Sequence, residues 1–210
     1  MEKFLREHAL KKPVSFHMPG HKGSGFYKRF GHEDFLDHFF DYDITEIEGA
    51  DNLFQREGII KAVSEKYARL YGAKQSFLLI NGTSCGLIAA ILATVPKGKK
   101  IIMARNSHKS VFNALTLAGI EPIYAYPELI EDWKISGQIT PCEIEEKLMS
   151  NPDAEAVILP SPNYYGICSD VEKIAEVVHR FGKILIVDQA HGAHLNFFNE
   201  FGIEGFPLTA

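Results

Sequence analysis

The chain has 210 residues, enough to bury a substantial core, and its 46% hydrophobic and 23% charged content is that of a folded globular protein rather than a disordered or coiled-coil one. Lys and Arg number 22 against 27 Asp and Glu, a net charge of −5, so no strongly basic face is implied and a nucleic-acid or anionic-membrane partner is disfavoured. Cys85, Cys142 and Cys168 form no CxxC pair, the start MEKFLREHAL is too charged for a signal peptide, and the longest apolar stretch, 87–95, is too short to span a bilayer, so the expected location is a reducing cytoplasm.

Residues 1–56 are rich in Gly, His, Phe and Asp and read as an irregular, partly helical N-terminal arm, with short helices at 2–11 and 33–40. From Gly58 the pattern becomes regular. Ile59, Ile60, Val63, Tyr67, Leu70 and Tyr71 recur at helical spacing, and Gly72 can stop that helix. A strand is expected at 76–80, a helix at 85–94, a strand at 100–104, and a helix at 110–118 closed by Gly119. A short strand at 122–125, a helix at 141–149 and a strand at 156–160 follow. The last pair is a helix at 171–181, capped by Ser169 or Asp170, and a strand at 184–188. The strands are near-continuous apolar runs, as expected when helices cover both faces of a sheet. The alternation predicts an α/β domain over 57–210 on a mostly parallel sheet. In such sheets the ligand sits at the carboxyl ends of the strands.

Four strings follow these strand ends. Asn81-Gly82-Thr83-Ser84 offers a tight turn, then hydroxyls and backbone N–H groups at a helix N-terminus, a cradle suited to phosphate; read alone, it is also an ordinary Ser/Thr cap. Arg105-Asn106-Ser107-His108-Lys109-Ser110 is a polar cluster that suits a site or a solvated loop equally. Ser161-Pro162-Asn163-Tyr164-Tyr165-Gly166 reads first as a Pro/Gly turn. Asp188-Gln189-Ala190-His191-Gly192-Ala193-His194 closes a buried strand with a carboxylate, which is costly unless a cation or local backbone N–H groups meet it.

Three chemistries compete for these pieces. Residues 187–191 have the look of a helicase-type acidic motif, but no GK followed by Ser or Thr accompanies it, which excludes that reading. Asp188, His191 and His194, with His17 and His21, have ligand types that suit zinc or iron, yet no HExxH or cysteine pair supports a metal site. A phosphate cradle, a strand-end Asp and a His together suit a phosphorylated heterocycle, best pyridoxal 5'-phosphate (PLP), whose pyridine nitrogen an Asp can keep protonated.

The chain resembles the bacterial ornithine/lysine/arginine decarboxylases, PLP enzymes of the aspartate-aminotransferase fold. The matching strings are Phe16-His17-Met18-Pro19-Gly20-His21-Lys22-Gly23, residues 80–86, 105–110, 161–166 and 187–194, in family order and over nearly the whole chain. The resemblance implies that Thr83 and Ser84, with the Cys85 amide, hold the phosphate. His108 would stack on the pyridine ring, Asp188 would pair with its nitrogen, and His191 would sit beside it near the 3-hydroxyl. His17, His21 and Lys22 would pack near a dimer interface, the parent enzyme being a homodimer or larger. Two positions depart from the family pattern: Asn163 stands where Thr is usual, with an amide able to reach a cofactor oxygen, and Gln189 stands where an acidic or small residue is more common.

A larger departure is a lysine. The family's Schiff-base lysine lies in a second Ser-x-His-Lys string, after the strand ending in Asp188, and no lysine follows His191 here. Lys109 neighbours His108 on the opening of a helix and is expected to point elsewhere. The chain therefore reads as an arm (1–56) and a partial PLP-binding domain (57–210) of a longer enzyme. The expected activity of the whole is decarboxylation of arginine, lysine or ornithine to a polyamine precursor, with this chain alone inactive. The alternatives are another PLP enzyme of the same fold, such as an aminotransferase, or a non-catalytic remnant that pairs with an intact subunit.

Overall fold

The computed structural model describes residues 1–14 and 23–197. The chain divides into two units, Met1–Leu70 with Lys74–Ser76, and Tyr71–Ala73 with Phe77 onward. In the first, α1 (Glu2–Leu10) carries the i,i+4 pairs Glu2–Arg6 and Lys3–Glu7 and buries no residue. Two five-residue helices follow, α2 (Gly25–Arg29), which the sequence did not signal, and α3 (Glu33–Asp37), shorter than the expected 33–40. The helix α4 (Ile59–Leu70) lies where the apolar spacing predicts it.

The loop before α4 is organised by one carboxylate. Asp51 stands at φ +67° and its two oxygens accept the N–H groups of Asn52, Glu57, Gly58, Ile60 and Lys61. The Glu57 N–H contributes most to lowering its pKa from the ordinary 3.8 to about 2, with Asn52, Gly58 and Ile60 adding to it against a smaller opposing effect of burial. Because the folded value lies below the unfolded one, this stabilisation is present above pH 4 or so and is lost as pH falls toward about 2. NMR shifts of the Gly58 and Ile60 amides should titrate with a midpoint near 2, and Asp51→Asn, which keeps one acceptor oxygen, should unfasten residues 52–61 at neutral pH. A midpoint at the ordinary carboxylate value would contradict this role.

The second unit is built on a four-stranded, wholly parallel sheet in the order Glu121–Ala125, Lys100–Ala104, Ala154–Pro160, Ile184–Asp188. Its elements are α5 (Gly82–Thr94), β1 (Lys100–Ala104), α6 (Lys109–Ala118), β2 (Glu121–Ala125), α7 (Pro141–Ser150), β5 (Ala154–Pro160), α8 (Val171–Arg180) and β6 (Ile184–Asp188). A small antiparallel hairpin, β3 (Leu129–Ile130) with β4 (Ile135–Ser136), interrupts the alternation between β2 and α7.

Side-chain alternation along the two central strands explains why both faces are apolar. Ile102, Ala104, Val157 and Leu159 face one way, onto Ile144 and Leu148 of α7 and Ile174, Val177 and Val178 of α8. Ile101, Met103, Ala156 and Ile158 face the other way, onto Leu87 and Ile91 of α5 and Val111, Ala114 and Leu115 of α6. Each of the Ile, Leu, Val and Met side chains among these contributes roughly 1.5–3 kcal/mol by leaving water. The predicted α/β sheet with helices on both faces is therefore present.

One expected strand is absent. Residues 76–80 form no strand, and Phe77 and Ile80 are 61% and 86% exposed. Apolar, β-prone composition describes what fits a sheet, but a strand exists only where a neighbouring ladder takes up its backbone groups, and the sheet order β2-β1-β5-β6 does not include this segment. No helix among the described residues is long and apolar enough to cross a membrane.

Candidate functional site

Parallel strands put all their carboxyl ends on one edge, so Ala125, Ala104, Pro160 and Asp188 end together, in the register Ala104↔Ala125 and Pro160↔Asp188. The chain leaves β1 toward β2 on one side and later builds β5 and β6 on the other. The strand order thus switches between β1 and β5, the place where a crevice opens in sheets of this kind. The helix α5 joins β1 through the short segment 95–99, so it runs back against the strand and its N-terminus also lies at this edge. The edge gathers Thr83, Ser84 and Cys85, the loop ending in His108, the turn 161–166, and Asp188 with His191.

Each piece has a local cause. Gly82 opens α5 at φ +66°, a conformation that side chains resist. Asn81 precedes it and makes no side-chain cap, whereas α6, α7 and α8 are capped by His108, Thr140 and Asp170. The first N–H groups of α5 therefore have no N-cap side chain among the described residues, and Thr83 and Ser84 are exposed beside them.

His108 caps α6 through its imidazole. Nδ1 accepts the Ser110 N–H at 3.2 Å and lies 2.8 Å from Ser110 Oγ, which fixes the ring while leaving the residue exposed. Lys109 is the first residue of α6 and is also exposed. In the same loop, Asn106 Oδ1 and Ser107 Oγ are buried without a hydrogen-bond partner, polar atoms that invite a ligand group or water.

Asp188 is only 8% exposed at the end of β6. Its Oδ1 accepts the Ala190 N–H at 3.1 Å, the local backbone bond that the sequence left open as an alternative to a cation. Among the described residues no cationic side chain pairs with it. A buried carboxylate with one backbone donor favours a further positively charged or hydrogen-bonding group. His191 is exposed and meets the Tyr164 ring edge-on, centroids 6.3 Å apart, a contact the sequence did not indicate.

Asn163 is 3% exposed and engaged on all sides. Its Nδ2 donates to the carbonyls of Ser136 and Gly137, at 2.9 and 3.0 Å, and its Oδ1 accepts the N–H groups of Tyr165 and Ile167, at 2.9 and 3.1 Å. This corrects the expectation that its amide reaches a cofactor oxygen: every position of that amide holds the turn after β5 to the end of the hairpin.

The turns after β5 and β6 touch closely. A Cβ on Gly192 would overlap Pro162 Cδ and press on Leu195 Cδ1. Gly192→Ala is expected to push the two turns apart at a cost of about 1–3 kcal/mol, read as a lowered urea midpoint. An unchanged midpoint would mean that the turns have room to separate.

His17, His21 and Lys22 lie outside the described residues. Among the described residues no group of three His, Cys, Asp or Glu side chains is arranged to hold a metal ion, so Asp188, His191 and His194 are not assembled as a metal centre.

The chain is similar to several known proteins. The major domain of the Orn/Lys/Arg decarboxylases matches residues 1–210. An arginine decarboxylase of Bacillus subtilis is 36% identical over 210 residues, 98% of this chain and 41% of its own length. One from Halalkalibacterium halodurans is 37% identical, over 97% of this chain and 40% of its own length. The chain thus spans about two fifths of the length of these relatives. Among solved structures, the constitutive lysine decarboxylase of Escherichia coli superposes with a TM-score of 0.52 at 25% identity, over 78% of this chain and 25% of that one.

Proposed function

This chain belongs to the Orn/Lys/Arg decarboxylase family, and from that premise we propose that it is the cofactor-holding part of a PLP-dependent decarboxylase of a basic amino acid. The observation that carries the reading is the convergence, on one sheet edge, of the side-chain-uncapped α5 N-terminus, the fixed His108 ring and the buried Asp188. This donor set fits the cofactor: amides and hydroxyls for a dianionic phosphate, an aromatic face for a ring, and a carboxylate for a ring N–H.

In this reading Thr83, Ser84 and the Cys85 amide hold the phosphate, and the positive end of α5 favours its charge. His108 lies against the pyridine ring, oriented by its bonds to Ser110. Asp188 keeps the ring nitrogen protonated, its carboxylate held in place by the Ala190 N–H. His191 stands beside the ring, steadied by Tyr164. PLP, when bound, would supply the electron sink at the substrate Cα that decarboxylation of an amino acid to an amine requires. The whole enzyme works as a homodimer or larger in the cytoplasm, and its product enters polyamine chemistry. In organisation, residues 1–56 form an arm and residues 57–210 part of the PLP-binding domain.

The same reading gives this chain no decarboxylase activity by itself, because the lysine that holds the cofactor is not among these residues. The test supplies PLP with arginine, lysine or ornithine in turn. The expected result is no CO₂ above the PLP-only rate, and protein-dependent CO₂ overturns that part of the proposal. Reading the DNA beyond codon 210 is expected to reveal a Ser-x-His-Lys string. Product analysis of the protein encoded with it then separates the classes: an amine supports decarboxylation, and a keto acid makes the protein an aminotransferase.

A further inference from the structure

The first unit contains a cavity of about 360 Å³ that none of the family motifs touches. Lys61, Ser64, Glu65 and Ala68, one face of α4, form one wall, with Arg56 from the loop before the helix and Lys74, Gln75 and Ser76 from the segment after it. Its size falls at the lower end of ligand-binding clefts, roughly 300–1,000 Å³. Three cationic residues, Arg56, Lys61 and Lys74, line it beside one acidic residue, Glu65, in a protein whose net charge is −5.

Lys61 stands in the first turn of α4, which holds no acidic residue of its own and whose positive end is met by the Asp51 carboxylate. The N–H groups there are already met by Asp51, so the backbone does not provide the anion site. Neither Lys61 nor Lys74 forms an ion pair among the described residues. The Arg56 guanidinium is held by Ser64 Oγ at 3.4 Å and the Ser76 carbonyl at 3.3 Å, bridging the two walls and presetting its planar fork. Ser64 is itself buried, its hydroxyl anchored on the Ile60 carbonyl. Two lysines without an ion pair among the described residues, beside an arginine held across the same cavity, favour a ligand of opposite sign.

We propose that this cavity binds a compact dianion, a phosphoryl or dicarboxylate group of a small metabolite, separately from the strand-end site. Arg56 supplies the oriented donors, and Lys61 and Lys74 supply the charge. The test titrates the whole chain by calorimetry with inorganic phosphate and with succinate, holding ionic strength constant with sodium chloride. Saturable binding of either probe is expected, weakened at least tenfold in the double variant Lys61→Glu/Lys74→Glu. Phosphate binding alone would assign a phosphoryl ligand, succinate binding alone a dicarboxylate, and both together the shared dianion chemistry. The milder pair Lys61→Gln/Lys74→Gln, checked by circular dichroism, gives the same comparison if charge reversal disturbs α4. No saturable heat with either probe overturns the proposal. So does binding that survives both double variants, because phosphate held at the α5 N-terminus would behave that way and would bear on the strand-end site instead.

Discussion

Asn163→Ala is expected to destabilise the sheet unit by about 3–5 kcal/mol. The substitution leaves two carbonyls and two N–H groups, those of Ser136, Gly137, Tyr165 and Ile167, without their partner. Each buried polar group left unsatisfied costs roughly 1–3 kcal/mol, and water reaching the exposed Tyr165 side recovers part of the total. Against the usual domain stability of about 5–15 kcal/mol this is a large fraction. Urea unfolding would show it as a fall in midpoint at nearly constant slope. Asn163→Asp should not rescue the loss, since a carboxylate would face two carbonyl oxygens. A cost below about 1 kcal/mol for the alanine variant would mean that the turn holds itself and that the amide network is incidental.

Asp188→Asn should do the reverse, sparing the fold and damaging ligand retention. The asparagine oxygen can still accept the Ala190 N–H, and the change removes a buried carboxylate that no described cation offsets, so stability should hold or rise. In the proposed role, what the variant would lose is a charge-assisted bond to a protonated ring nitrogen. Such bonds contribute about 1.5–3 kcal/mol, equivalent to roughly 10- to 100-fold in affinity. Pyridoxamine 5'-phosphate is the useful probe, because it has no aldehyde to react with surface lysines. Equilibrium dialysis paired with a thermal melt separates the two effects. Equal retention by wild type and variant would remove Asp188 from the ring nitrogen.

Much of the sheet was legible because its central strands are continuous apolar runs bounded by turn residues. The strands at 100–104 and 184–188 match the expected bounds. The segment 76–80 carries the same signal and forms no strand, since pairing is decided by distant chain rather than by composition. The hairpin β3–β4 escaped notice because two residues per strand are too few to show a period. The choice between Ser169 and Asp170 as the cap of α8 could only be made in three dimensions. Asp170 accepts the Lys173 N–H, while Ser169 Oγ accepts the Ile139 N–H across the fold.

That the loops following the strands gather at one edge of the sheet followed from the alternation alone, since parallel strands bring their following loops together. The function of individual residues did not. Asn163 is visible in the sequence as a polar residue in a turn, but its partners, Ser136 and Gly137, lie 27 and 26 residues earlier. The contact of Tyr164 with His191 depends on the pairing of β5 with β6 in the same way.

In the proposed role, the carboxyl edge of this sheet holds PLP through its phosphate and its ring together. Dialysis of the chain against pyridoxamine 5'-phosphate and, separately, against pyridoxamine tests it most directly. The phosphorylated form should bind saturably and at least about tenfold more tightly, the share expected from charge-assisted bonds at a helix N-terminus. Equal uptake of the two compounds, or no saturable uptake of either, would contradict the claim.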